Sequence, residues 1–205
     1  VKPVRVHEEV ERHRELVLLA CRSLDRSEPP GRASGCVSIR SGEAVVISTG
    51  EEDGESPRTD RNAVLIDPEE GLPLLGELAW PPPETPAHLA IHRQLPGGGA
   101  VIHTREPATV ALTEAVGAAP SADATVLTVA PGRRSASERE DVADLARLID
   151  LSGPVTAVLL AGSAVFTWGR SPEEALSGLE RIREFGRALH PAPAAGPEEA
   201  EGKTW

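Results

Sequence analysis

The sequence predicts an α/β (α+β) domain whose central sheet is mainly antiparallel and flanked by helices. Three observations predict it. Short runs of β-branched and apolar residues recur along the chain, bounded by glycine, proline and aspartate turns. Two sets of these runs follow each other so closely that they must fold back as hairpins. Stretches with helically spaced apolar residues stand at both ends of the chain and between the strands.

Residues 4–25 carry Val6, Val10, Leu16, Leu19, Ala20 and Leu24 at a broadly helical period among charges. Gly31 to Gly35 breaks that helix. GCVSIRS (35–41) and EAVVIST (43–49) read as a hairpin turning at Ser41-Gly42. A polar loop (51–60) precedes the strand NAVLID (62–67), and GLPLLG (71–76) is expected to pair back on it. Trp80-Pro81-Pro82-Pro83 is stiff and extended, and leads into a helix opening at Glu84. Pro86 falls in its first turn, where a missing N–H is harmless. GGGAVIH (97–103) reads as a buried strand. PATVALTEAVG (107–117) reads as a helix with Gly117 just past its end. A strand follows at 122–130, and a helix at 135–150 opens with the capping box Ser137 and Glu140. TAVLLAG (156–162) and AVFTWG (164–169) are paired strands. The last helix (171–190) has one face made by Ala175, Leu176, Leu179, Ile182 and Phe185. Residues 1–190 are expected to form one domain, and the Pro/Ala/Glu-rich tail 191–205 to be disordered.

Bulk properties narrow the function. At 205 residues the chain can bury one sizeable core. A formal net charge of −11 argues against nucleic acid as a partner, and 2% aromatic content leaves no platform for stacking bases. No run of 18 apolar residues occurs, and the charged N-terminal stretch is unlike a signal segment, so a cytoplasmic protein without membrane contact is expected. There is no Tyr, so no phenol can serve as acid or base. Cys21 and Cys36 have neither metal-ligand nor disulfide spacing, and Cys21 lies on the apolar face of the first helix.

The segment PETPAHLAIHRQLPGGGAVIHTREPATVA (83–111) carries the chemistry. Glu84 opens a helix, His88 follows one turn later, and His103 ends a strand nineteen residues after Glu84, two positions before Arg105. This pattern resembles the class II aldolase/adducin family, and the likeness runs from about Val6 to His190. In that family a glutamate opens the helix and a His-x-His pair ends the strand. A third histidine lies in a later Asn-His-Gly turn. The resemblance implies three histidines holding a divalent metal, usually zinc, that polarises a carbonyl or enediolate while the glutamate moves the proton. Here Arg105 replaces the second histidine, and a guanidinium has no lone pair for a metal. Gly162-Ser163-Ala164 stands in the third place, with Ser163 at the ligand position. The family metal is therefore expected to be lost and no cofactor to be required.

The family's phosphate pocket is altered too. Gly35, Val37 and Ser38 match its first turn but Cys36 replaces the asparagine, and Thr49-Gly50 matches the second. Pro82 and Pro83 replace two serines, removing hydroxyls and backbone N–H groups. A small non-phosphorylated substrate is expected, with Arg105, Arg40 or Arg32 available for a carboxylate. The resemblance also implies a homotetramer with the site at a subunit interface. A tyrosine is the usual proton donor there, and this chain has none.

Three readings follow. In the first, Glu84 is the general acid or base, Arg105 stabilises an enolate or carboxylate, and His103 is a second proton-transfer group. Ser38, Cys36, Arg40, Thr49, Gly50 and Ser163 would surround the substrate. That describes a metal-independent lyase, decarboxylase, dehydratase or cyclase working through an enol(ate), and a place in specialised biosynthesis fits it. In the second, the chain is a non-catalytic association protein like the adducin head, with Arg105 merely salt-bridged to Glu84. In the third, it is a metal-dependent aldolase or epimerase with a rearranged site. Glu84, His88 and His92 line one helix face four residues apart and, with His103, would be the ligands.

Overall fold

The computed structural model describes residues 8–26, 35–49, 63–74, 76–95, 99–105, 126–129, 156–160 and 164–189. Its elements in chain order are α1 (Glu8–Arg26), β1 (Gly35–Ser41), β2 (Ala44–Ser48), β3 (Ala63–Ile66), α2 (Thr85–Gln94), β4 (Ala100–Thr104), β5 (Val126–Val129), β6 (Ala157–Leu160), β7 (Ala164–Gly169) and α3 (Pro172–Leu189). The strands form one sheet in the order β3-β2-β1-β4-β7-β6-β5. Every neighbouring pair is antiparallel except β5 with β6. The expected antiparallel-rich sheet between helices is the observed fold. The expected helices at 107–117 and 135–150, and the tail, lie outside the described residues.

Side-chain alternation along each strand sorts the core into two layers. On one sheet face Val37, Ile39, Ile102 and Val165 pack with Val17, Cys21 and Leu24 of α1 and with Ala175, Leu179 and Ile182 of α3. On the other face α2 lies over the strands. Ala87 and Ile91 meet Val101, Phe166 and Trp168, while Leu89 meets Val45, Ile47, Val64 and Ile66. Two expected core positions differ. Leu19 is 52% exposed and Phe185 is 46% exposed, because the buried stripe of α1 runs through Val10, Val17 and Leu24, and that of α3 ends at Ile182.

Residues 71–74 pair back on β3 as expected, as an isolated bridge and not as a strand. The bridge joins Ile66 to Pro73, with Leu74 N–H donating to Leu65 C=O. Asp67 N–H donates to Leu72 C=O on the other side of the bridge, so Pro73 sits at a non-hydrogen-bonded position where its missing N–H costs no ladder bond. Arg14 of α1 reaches over this edge, hydrogen-bonding Ala63 C=O and pairing with the Glu77 carboxylate.

Two glycines are required by geometry. Gly42 has φ 59° in the two-residue turn between Ser41 and Ala44, a conformation that suits glycine. A Cβ at Gly35 would lie 2.6 Å from the His103 carbonyl oxygen, so β1 can approach β4 this closely only without a side chain there. Among the described residues no helix is long and apolar enough to cross a membrane.

Candidate active site

The strand register gathers polar side chains beneath α2. Cys36 of β1 sits directly opposite His103 of β4, and His103 sits opposite Phe166 of β7. Directly paired residues share a sheet face, so these three form a row. Ser38, two residues along β1 from Cys36, lies on the same face. Above them α2 places His88 and His92 four residues apart, hence on one helix face. Cys36, Ser38, His88, His92 and His103 are all buried.

Their contacts form a connected chain. Cys36 Sγ lies 2.9 Å from His88 Nε2 and 3.9 Å from His103 Nδ1. Ser38 Oγ lies 2.7 Å from His88 Nδ1 and 2.8 Å from His92 Nε2. A hydroxyl has one proton to donate, so at least one of these histidines must donate to Ser38. The rings of His88 and His103 both pack against Phe166, with centroids 5.9 and 4.8 Å away. His92 Nδ1 and His103 Nε2 are buried without a hydrogen-bond partner among the described residues.

Burial keeps these imidazoles neutral. His88 is held well below the usual histidine value, first by burial and then by the neighbouring His103 and His92. Burial, helped by the positive charge of Arg40, brings His92 to about 3. Burial, helped by Arg105, brings His103 to about 3. At neutral pH all three offer a lone pair and carry no charge.

Beside this cluster lies a charged pair. Glu84 occupies the N-cap of α2, yet its side chain makes no capping hydrogen bond. The first turn is closed instead by Thr85, whose hydroxyl donates to Pro82 C=O, while Pro86 supplies the fixed φ of the opening. The Glu84 carboxylate is thus left for Arg105, whose Nη2 lies 3.2 Å from Oε1. The side chain of Arg105 is 52% exposed and that of Glu84 18% exposed, so the pair borders solvent.

The other expected site residues are distributed differently. Ser38 and Cys36, expected to line the substrate, are buried and engaged with histidines. His92 is buried within the chain. Arg40 donates from Nε to Gly42 C=O in its own hairpin turn. Thr49 is partly buried just after β2. Arg32, Gly50 and Ser163 lie outside the described residues. The rearranged ligand set of Glu84, His88, His92 and His103 is brought together only in part. His88 and His103 meet, but their third companion is Cys36. The spacing of the two cysteines does not reveal this, because sheet pairing and not local sequence brings Cys36 to the histidines.

A three-histidine metal centre does not fit these residues. At the second ligand position Arg105 projects a permanent charge that pairs with Glu84 and is felt at His103.

The family model for the Class II Aldolase and Adducin N-terminal domain matches residues 15–189. The chain belongs to the class II aldolase and adducin family. No curated protein matches it by sequence. Among solved structures, YgbL from Klebsiella pneumoniae, described as a candidate aldolase/epimerase/decarboxylase, is similar with TM-score 0.64 and 22% identity over 89% of this chain and 90% of that one. L-fuculose-1-phosphate aldolase from Thermus thermophilus gives TM-score 0.61 and 19% identity over 87% and 93% of the two chains. A sugar-phosphate aldolase from Thermotoga maritima gives 0.58 and 16% over 91% and 99%. At these identities the likeness is one of fold.

Proposed function

We propose that this family member is an enzyme that forms and quenches an enolate on a small, non-phosphorylated oxo or hydroxy acid, with Arg105 serving where relatives use a metal. The observation that carries this is the solvent-bordering Glu84–Arg105 pair. An exposed ion pair of this kind is worth at most about 1 kcal/mol, so a substrate carboxylate or carbonyl can take over the guanidinium at little cost. The Glu84 carboxylate, released from both capping and pairing, then removes the proton from the carbon next to the carbonyl. The electron pair moves into the developing enolate oxygen, which accepts hydrogen bonds from Arg105. Protonated Glu84 returns the proton to carbon. Epimerisation, decarboxylation and aldol cleavage all share this intermediate, which is the chemistry spanned by the descriptions of the structural relatives. His103 is neutral and buried, which favours a supporting role over proton transfer.

The test is solvent deuterium exchange followed by proton NMR on a panel of non-phosphorylated oxo acids and hydroxyketones. Exchange catalysed by the wild type, abolished in Glu84→Gln and reduced in Arg105→Ala, is the expected result. Exchange that is indifferent to Glu84 would contradict the proposal. The non-catalytic reading predicts no exchange by any variant.

A homo-oligomer belongs to the same proposal. Leu78 and Trp80 are 98% and 68% exposed in the single chain, just before the helix that carries Glu84.

A further inference from the structure

We propose that Cys36, His88 and His103 form a metal site for a divalent, borderline-soft cation such as zinc, sharing only His103 with the three-histidine centre of the family. Each residue offers one ligand atom, and these atoms all lie within 4.8 Å of one another in a buried setting. A tetrahedral zinc with ordinary bond lengths holds sulfur and nitrogen ligands about 3.5 Å apart. The distances from Cys36 Sγ to His88 and His103, 2.9 and 3.9 Å, bracket that value.

The surrounding groups fit a metal better than a nucleophile. A reactive thiolate needs a nearby positive charge and access to substrate, whereas Cys36 is buried among imidazoles and Phe166. A ligating histidine characteristically holds its second nitrogen in a hydrogen bond that fixes the ring. His88 does so: Nε2 faces the thiol, Nδ1 meets Ser38, and Ser38 is in turn held by His92. His103 turns Nδ1 toward Cys36, and its Nε2 has no hydrogen-bond partner among the described residues, so Nδ1 can give its lone pair with the proton on Nε2. Sulfur with imidazole selects zinc-like ions over magnesium or calcium. Binding would release the thiol proton to solvent and leave the ion held by one thiolate and two neutral rings.

The site would join β1, β4 and α2, whose ligands are 52 and 67 residues apart in sequence. His88 is one turn along α2 from Glu84, and His103 is two residues before Arg105, so the ion would set the positions of both partners of the charged pair. This inference does not depend on the enolate chemistry.

The test uses the full chain, stripped with a chelator and titrated with cobalt(II), then zinc. The expected result is one cobalt per chain, an intense thiolate-to-cobalt absorption displaced by zinc, and loss of that absorption in Cys36→Ser. Ser38→Ala, which keeps all three ligands, should retain the absorption and weaken affinity by about 10–100-fold. Glu84→Gln and Arg105→Ala should leave the absorption unchanged. The proposal is overturned if the wild type binds no stoichiometric cobalt or if no thiolate absorption appears. It is equally overturned if the absorption survives in Cys36→Ser or disappears in Glu84→Gln.

Discussion

On the proposed chemistry Arg105 carries the largest functional consequence of any residue, because it holds a fixed charge beside the Glu84 carboxylate. Removing an electrostatic stabiliser of a developing oxyanion typically costs about 10²–10³ in kcat. Arg105→Ala should show a loss of that order in steady-state turnover, with Arg105→Lys recovering only part, since an ammonium lacks the planar pair of donors. Glu84, His103 and Arg105 are legible in the sequence because the helix start, the strand end and their spacing are local features. Cys36 is not. Its place among the histidines is set by pairing between distant strands, which no spacing along the chain reveals. Gly35 makes the same point in the backbone. A methyl group there would press on the His103 carbonyl, which belongs to the backbone and cannot swing away. Gly35→Ala should therefore lose about 1–3 kcal/mol of stability in urea unfolding and disturb Cys36 with it.

At the scale of elements, β1, β4 and α2 build the site between them. The Cys36–His103 pairing fixes one edge of the cluster, and the four-residue spacing of His88 and His92 fixes the other. The expected strand and helix positions agree closely with the observed ones where the pattern is strong, as in the β1–β2 hairpin and α2. At 71–74 the expected pairing back on β3 is observed, reduced to an isolated bridge at Pro73. The neutral histidines under α2 make stability depend on pH. His92, facing Ser38 and feeling Arg40, has its folded value brought to about 3, below its ordinary 6.5. Below pH 6.5 the unfolded chain binds a proton that the folded one refuses. That contribution is complete above 6.5 and is lost progressively as pH falls toward 3. Thermal melts of the metal-free protein should show Tm dropping across this window, and His92→Gln should flatten the drop. A melt independent of pH there would contradict the neutral assignment.

For the whole molecule, the sheet with α1 and α3 on one face and α2 on the other explains why the fold was readable while the ligand set was not. Fold follows from alternation and helical period, which repeat many times along the chain. The site depends on which strands are neighbours. The exposed Leu78 and Trp80 lead to a further expectation: light scattering should find an oligomer, and Leu78→Ser with Trp80→Ser should shift it toward monomer. A monomeric wild type would remove that part of the proposal. The central claim is that the family's metal centre has given way to a guanidinium–carboxylate pair, with a new ligand set beneath it. A crystal structure of the zinc-loaded protein, with the metal located by anomalous scattering, tests this most directly. The account predicts zinc on Cys36, His88 and His103, with Arg105 still paired to Glu84. Zinc bound by His103 and Glu84, with Arg105 displaced and Cys36 unligated, would contradict it.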